Sequence, residues 1–267
     1  MKKKSLNGPK FGFCLVLILT CLCLGFLIAT RFLRAVTINT ASIDLPVEDN
    51  RWVAFYDQQR KESIKVFVRV RTPIRVSQMP TLLQRAFVQR KDARFYNYNV
   101  GISDLAPILI TEIKAFLGLY EPVRYHRGIA STLGYNLFLI HKKDLPCRFD
   151  EVILAYKIER KFRKEEILEF YLNNIYFGEG AFGVEAASNY YFGKHAAKLQ
   201  THEIAFLVWL ATDILSPDIY RKEHLLQDIK VAKSGRDKVL DEMASVGLVT
   251  PKQAGEFKQK ALGVVTY

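Results

Sequence analysis

The stretch from Lys164 to Lys194, KEEILEFYLNNIYFGEGAFGVEAASNYYFGK, constrains this chain more than any other. Glu165 and Glu166 precede the apolar residues Ile167, Leu168, Phe170, Tyr171 and Leu172. That spacing predicts a short helix whose first turn carries negative charge, where the helix dipole favours it. Gly178, Gly180 and Gly183 then fall within six positions and mark tight turning or close approach of backbone. A second helical pattern runs from Val184 to Tyr191 and ends at Gly193, a natural C′ residue. The residues alone predict helix, glycine turn, helix.

The 267 residues have room for one substantial domain and an anchor. Lysine and arginine exceed acids by 12, an excess that suits an anionic substrate, a membrane surface or nucleic acid. The charge is spread rather than striped and no nucleic-acid module is visible, so nucleic acid is not expected as a partner. Cys14, Cys21 and Cys23 lie in one apolar run, which leaves Cys147 alone in the remainder and offers no metal-ligand spacing.

That apolar run, Phe11 to Thr30, has no formal charge and the length a bilayer core requires of a helix. It is longer than the apolar region of a cleaved signal peptide, so an uncleaved anchor over residues 11–34 is expected. Lys2, Lys3, Lys4 and Lys10 before it, against Arg31 and Arg34 after it, favour a cytoplasmic basic tail at 1–10. The main domain then lies on the outer or periplasmic side of the membrane. Residues 35–63 read as a linker with an ordered portion near Trp52 to Tyr56. Ile64, Val66, Val68 and Val70 alternate with polar residues as in a half-exposed strand. Val76 to Phe87 enters a helix with Ser77 as candidate cap and Pro80 in its first turn. Beyond Ala86 the pattern is mainly helical, and His202 reads as a solvated residue at a helix start rather than a ligand.

The order of residues in Lys164–Lys194 closely resembles the fourth motif of glycosyltransferase family 51, the peptidoglycan glycosyltransferases. That motif runs K-x-E-I-L-E-x-Y-L-N-x-x-Y-F-G-x-G-x-x-G, then A-A-x-x-Y-F-G-K after three more positions. Glu166, Glu169, Asn173, Tyr176, Phe177 and Gly178 fall on it. Leu199 to Ala211 is similar to the fifth motif, and Arg236 to Gly247 to the closing helix. The resemblance covers residues 64–250 and leaves 251–267 as a tail. It implies a mainly α, lysozyme-like domain with a small membrane-facing jaw subdomain at about 101–142, in the layout of the monofunctional biosynthetic transglycosylases.

The family joins lipid II units into glycan strands at the membrane. The acceptor sugar's 4-hydroxyl attacks the anomeric carbon of a lipid-pyrophosphate-linked chain. A carboxylate must take the hydroxyl proton, and positive charge or a divalent cation must meet the leaving pyrophosphate. By resemblance, Glu166 holds the second-glutamate position, with Mg²⁺ as its expected metal. Glu151 falls on the glutamate of motif three, R-K-x-x-E, where Cys147 and Arg148 replace Arg-Lys. Lys143 adds a cation in that region. Arg94, Ser131, Thr132, Asn173, Tyr176 and Gly178 complete the expected substrate-facing set.

Two motifs depart. The family's first motif is E-D-x-R-F-Y-x-H-x-G; here Asp92, Arg94, Phe95 and Tyr96 match, but Lys91 holds the place of the catalytic glutamate and the histidine is absent. Lysine's reference pKa is about 10.4, which makes it a poor base. Asp92 is a displaced candidate, turned about 100° along the helix from that place. Motif two, G-x-S-T-I-T-Q-Q-x-x-K-N, meets RGIASTLGYNLF at residues 127–138. Aligned from the left, Gly128, Ser131 and Thr132 fit; aligned from the right, Ser131 and Thr132 replace the glutamines and Tyr135 the lysine. Either way the glutamine pair and lysine are lost. The sequence thus leaves three readings: an impaired enzyme that binds lipid II or nascent glycan, an active divergent transglycosylase using Glu166 and an unorthodox base, and a scaffold among cell-wall synthesis or division proteins. For the alternatives that need no ligand, Glu166 is a first-turn acid and Glu151 an exposed acid paired with a cation such as Lys157.

Overall fold

The computed structural model describes residues 25, 54–56, 63–65, 72–116, 118, 128–136, 148–178, 181–214 and 229–264. The expected anchor over 11–34, apart from residue 25, lies outside these, as do Lys143, Cys147 and Gly180. Among the described residues no helix is long and apolar enough to cross a membrane.

Strands β1 (Ala54–Tyr56) and β2 (Ser63–Lys65) pair antiparallel, Phe55 opposite Ile64. The expected alternation from Ile64 onward is therefore strand at its start; residues 66–71 lie outside the described set. Most of the other described residues are helical. Helix α1 spans Thr81–Asp92, α2 Leu105–Phe116, α3 Ile129–Gly134, α4 Arg148–Lys161 and α5 Lys164–Asn174. After them come α6 (Val184–Phe192), α7 (Thr201–Trp209), α8 (Ile229–Ser245) and α9 (Pro251–Gln259).

Helix α1 starts later than expected. Met79 is extended because a proline follows, and Pro80 precedes the first helical residue. Ser77 sits in a separate short turn, Val76–Gln78, and caps nothing.

Helix α7 is the centre. Every residue from His202 to Trp209 is buried, as a helix enclosed on all sides must be. Helices α1 and α8 pack on it, and α9 packs on α8. The α8 contact is close: a Cβ on Gly235 would lie 2.0 Å from the Trp209 indole. Phe87 of α1 meets Tyr171 and Phe177 edge-on at 6.4 and 6.2 Å, tying α1 to the motif-four hairpin. A smaller apolar cluster, Leu105 and Ile108 of α2 with Val152 and Ile153 of α4, seats the segment expected to form the jaw.

His202 differs from its expected place. Its ring is buried and stacks on Phe257 of α9 at 6.4 Å, because α9 closes over the start of α7. Arg236 is fully buried. It donates to the carbonyls of Lys258 and Lys260 at 2.9 and 2.7 Å, placing a cation at the C-terminus of α9.

Candidate active site

The glycine hairpin between α5 and α6 forms as the spacing predicts. The Ala181 amide donates to Gly178 O at 2.8 Å and the Phe177 amide to Ala181 O at 2.9 Å, while Tyr176 bridges Phe182. Gly178 and Gly183 have φ of 88° and 83°, a region that favours glycine. A Cβ on Gly183 would also lie 2.7 Å from the backbone oxygen of Asn173. Gly193 ends α6 in the left-handed conformation, as a C-terminal cap glycine should.

Asn173 is committed to the backbone. Its amide accepts from Ile74 N at 3.1 Å and donates to Ile74 O at 2.8 Å, while Glu169 accepts from Val76 N at 2.8 Å. Two α5 side chains therefore strap the extended segment before α1 onto the hairpin. Tyr176 faces Phe182 with ring centres 4.7 Å apart.

Glu166 is half-exposed at the third position of α5. One oxygen accepts the Arg163 amide at 2.8 Å, the other the Arg163 guanidinium at 3.2 Å. The Arg163 side chain, and after it the Arg163 amide, hold this carboxyl below the usual carboxylate range. With both oxygens on Arg163 donors, Glu166 has the geometry of a helix-start cap. Each oxygen of Glu166 already accepts from Arg163, and among the described residues no trio of acidic, histidine or cysteine side chains could hold a metal.

Lys91 is half-buried in the last turn of α1 and engaged by a neighbour. Asp92, the last residue of α1, accepts from the Ile129 amide at 3.2 Å, so the end of motif one caps the helix formed by motif two. On that helix Ser131 is buried, and the buried Thr132 hydroxyl has no hydrogen-bond partner among the described residues. Glu151 is fully buried and engaged by another group, not the exposed acid of the ligand-free alternative, because α4 turns its first-turn acid inward. Arg148 opens α4.

Residues 93–100 link motif one to motif four. Phe95 is buried, whereas Arg94, Tyr96 and Tyr98 are exposed. The Arg94 guanidinium lies 4.9 Å over the Tyr98 ring, and the Tyr98 hydroxyl donates to Asp104 at 2.6 Å, which raises its pKa. Burial, and then the charge of Glu165, push the Tyr96 hydroxyl up. The start of α5 is thus beside the motif-one turn. Lys164 donates to Tyr98 O at 2.8 Å and sits 4.7 Å over Phe95. Sequence reasoning did not single out Glu159, whose contacts join Lys164 to Val100.

A helical domain in which motif one, motif two and the glycine hairpin of motif four meet has the arrangement of a family 51 glycosyltransferase domain. The chain belongs to the transglycosylase family, whose model (Transglycosylase) matches residues 60–244. It is similar to penicillin-binding protein 1A of Aquifex aeolicus, 36% identical over 214 residues that cover 78% of this chain and 28% of that protein. Penicillin-binding protein 1F of Bacillus subtilis is 30% identical over 211 residues, 78% of this chain and 28% of that protein. Penicillin-binding protein 1A of Escherichia coli is 29% identical over 230 residues, 85% of this chain and 25% of that protein. The chain spans about a quarter of the length of these relatives.

Proposed function

We propose that this protein is a membrane-anchored, catalytically impaired peptidoglycan transglycosylase that recognises lipid II or nascent glycan on the outer face of the cytoplasmic membrane. The observation that carries the reading is the contact of Asp92 with Ile129. With lysine at the base position, the adjacent carboxylate is the nearest replacement, and it is occupied in capping α3. Glu166 is likewise held by Arg163. A general base must reach the proton it removes, and a carboxylate serving as a structural cap loses that cap when it turns to substrate.

Recognition asks for less. Arg94 and the Tyr96 and Tyr98 rings stand exposed beside the start of α5, and Gly178 keeps the turn of the hairpin. Cations and aromatic faces suit a pyrophosphate-linked sugar without proton transfer. The formed motif-four hairpin favours the second reading, an active divergent enzyme using Glu166. A scaffold for division or cell-wall proteins is the third.

Binding of fluorescent lipid II by the full-length protein in nanodiscs separates recognition from scaffolding. Saturable binding that weakens in Arg94→Ala supports the proposal. Absence of binding contradicts it.

A further inference from the structure

The exposed part of the motif-one turn has one anchor at Asp92. Its other end is held by two charged side chains from a different part of the chain. Glu159, near the end of α4, accepts the Val100 amide through one oxygen at 2.6 Å and the Lys164 ammonium through the other at 2.8 Å. Lys164, the first residue of α5, donates also to the Tyr98 carbonyl at 2.8 Å and covers the Phe95 ring. The side chains are 5% and 17% exposed, so the pair is mostly withdrawn from water.

A withdrawn ion pair holds its geometry only where its remaining hydrogen-bonding groups are satisfied. Here the satisfying groups are the backbone of the turn itself, a carbonyl at 98 and an amide at 100, 66 and 59 positions away in sequence. Neither group belongs to a helix or strand, so nothing in regular structure replaces these bonds. The pair thereby fixes a segment whose exposed side chains include Arg94, Tyr96 and Tyr98. Phe95 already anchors the turn to the core, so the extra grip acts on the orientation of the outward-facing residues.

We infer that Glu159 and Lys164 are a positioning pair that holds the motif-one turn in the shape that receives a pyrophosphate-linked glycan. This rests on the reading of the function given above. Removing the ammonium leaves Glu159 a mostly buried, unpaired charge and frees the Tyr98 carbonyl. The turn then samples other shapes while the helices stay folded.

The test uses the full chain in nanodiscs with fluorescent lipid II, and follows amide hydrogen exchange alongside binding. Lys164→Met is expected to lose protection across residues 93–100 with the α7 and α8 amides unchanged, and to weaken binding by about tenfold. Lys164→Arg, which keeps the charge and reach, is expected to recover most of both. Glu159→Gln, which still accepts from Val100 but loses the ion pair, should fall between them. A loosened turn with undiminished affinity would overturn the inference, as would a turn that stays protected in Lys164→Met. If the unaltered protein binds no lipid II, the functional reading fails, and the inference of a substrate-receiving turn fails with it whatever the exchange shows. Exchange then reports only whether the pair holds the turn.

Discussion

The Asp92 carboxylate meets the amide of Ile129 at 3.2 Å, 37 positions away in sequence. Gly128 makes the approach possible, since a Cβ there would lie 2.5 Å from the same oxygen. Gly128→Ala should therefore cost about 1 kcal/mol, the usual worth of a helix cap. In an Asp92→Ala background the same change should cost almost nothing, because the two act on one contact. Urea unfolding of the four proteins of this cycle checks it; additive costs would contradict the contact.

The hairpin of motif four should tolerate side chains worst at Gly183. Its φ of 83° and the 2.7 Å approach to the Asn173 backbone oxygen add strain to a clash that no rotamer relieves. Gly183→Ala should cost at least about 2 kcal/mol. Asn173→Ala, which frees the Ile74 amide and carbonyl, should cost about 1–3 kcal/mol. Thermal unfolding compared with the unaltered protein reads both.

Gly235→Ala tests the seam between α7 and α8. The position is helical and alanine suits it locally, yet the added carbon would meet Trp209 at 2.0 Å. Overpacking of about 1–3 kcal/mol should outweigh the gain in helix propensity of about 1 kcal/mol. A stabilised variant would show that the two helices part without cost.

His202 should make stability depend on pH. Burial first, and then Lys260, Arg236 and Lys194, lower its pKa in the folded protein, against an opposing pull from Glu203. The folded state therefore favours the neutral ring. Its contribution is complete above the unfolded value of about 6.5 and is lost as pH falls through the lower folded value. Its Nδ1 is buried without a hydrogen-bond partner among the described residues, so a neutral replacement forfeits no bond there at that atom. The loss of stability between pH 7.5 and 5.5 should be smaller in His202→Leu than in the unaltered protein. An identical loss would assign it to other groups.

Much of this was legible in the sequence, for physical reasons. The hairpin from Lys164 to Lys194 was readable because glycine spacing and helical periodicity are local signals. The mainly helical architecture followed from the same periodicity. What escaped depends on contacts between distant segments. Nothing in the sequence marks Arg236 as buried; the carbonyls of Lys258 and Lys260 and the Asp237 carboxylate satisfy its guanidinium in the folded chain. His202 reads as solvated until α9 closes over it. Glu151 reads by resemblance as the motif-three glutamate or, without a ligand, as an exposed helix acid, and the packing of α4 turns it inward. Glu166 reads both as a first-turn acid and as the family's second glutamate, and its bonds to Arg163 show the capping geometry. Glu159 gave no signal, because its partners Val100 and Lys164 share no motif with it.

On the proposed function, the chain recognises lipid II without polymerising it. Polymerisation of lipid II by the purified full-length protein with Mg²⁺ tests this most directly, with Lys91→Glu and Glu166→Ala alongside. No glycan strands are expected from the unaltered protein under conditions where it binds lipid II. Strands that the unaltered protein makes and Glu166→Ala does not would contradict it.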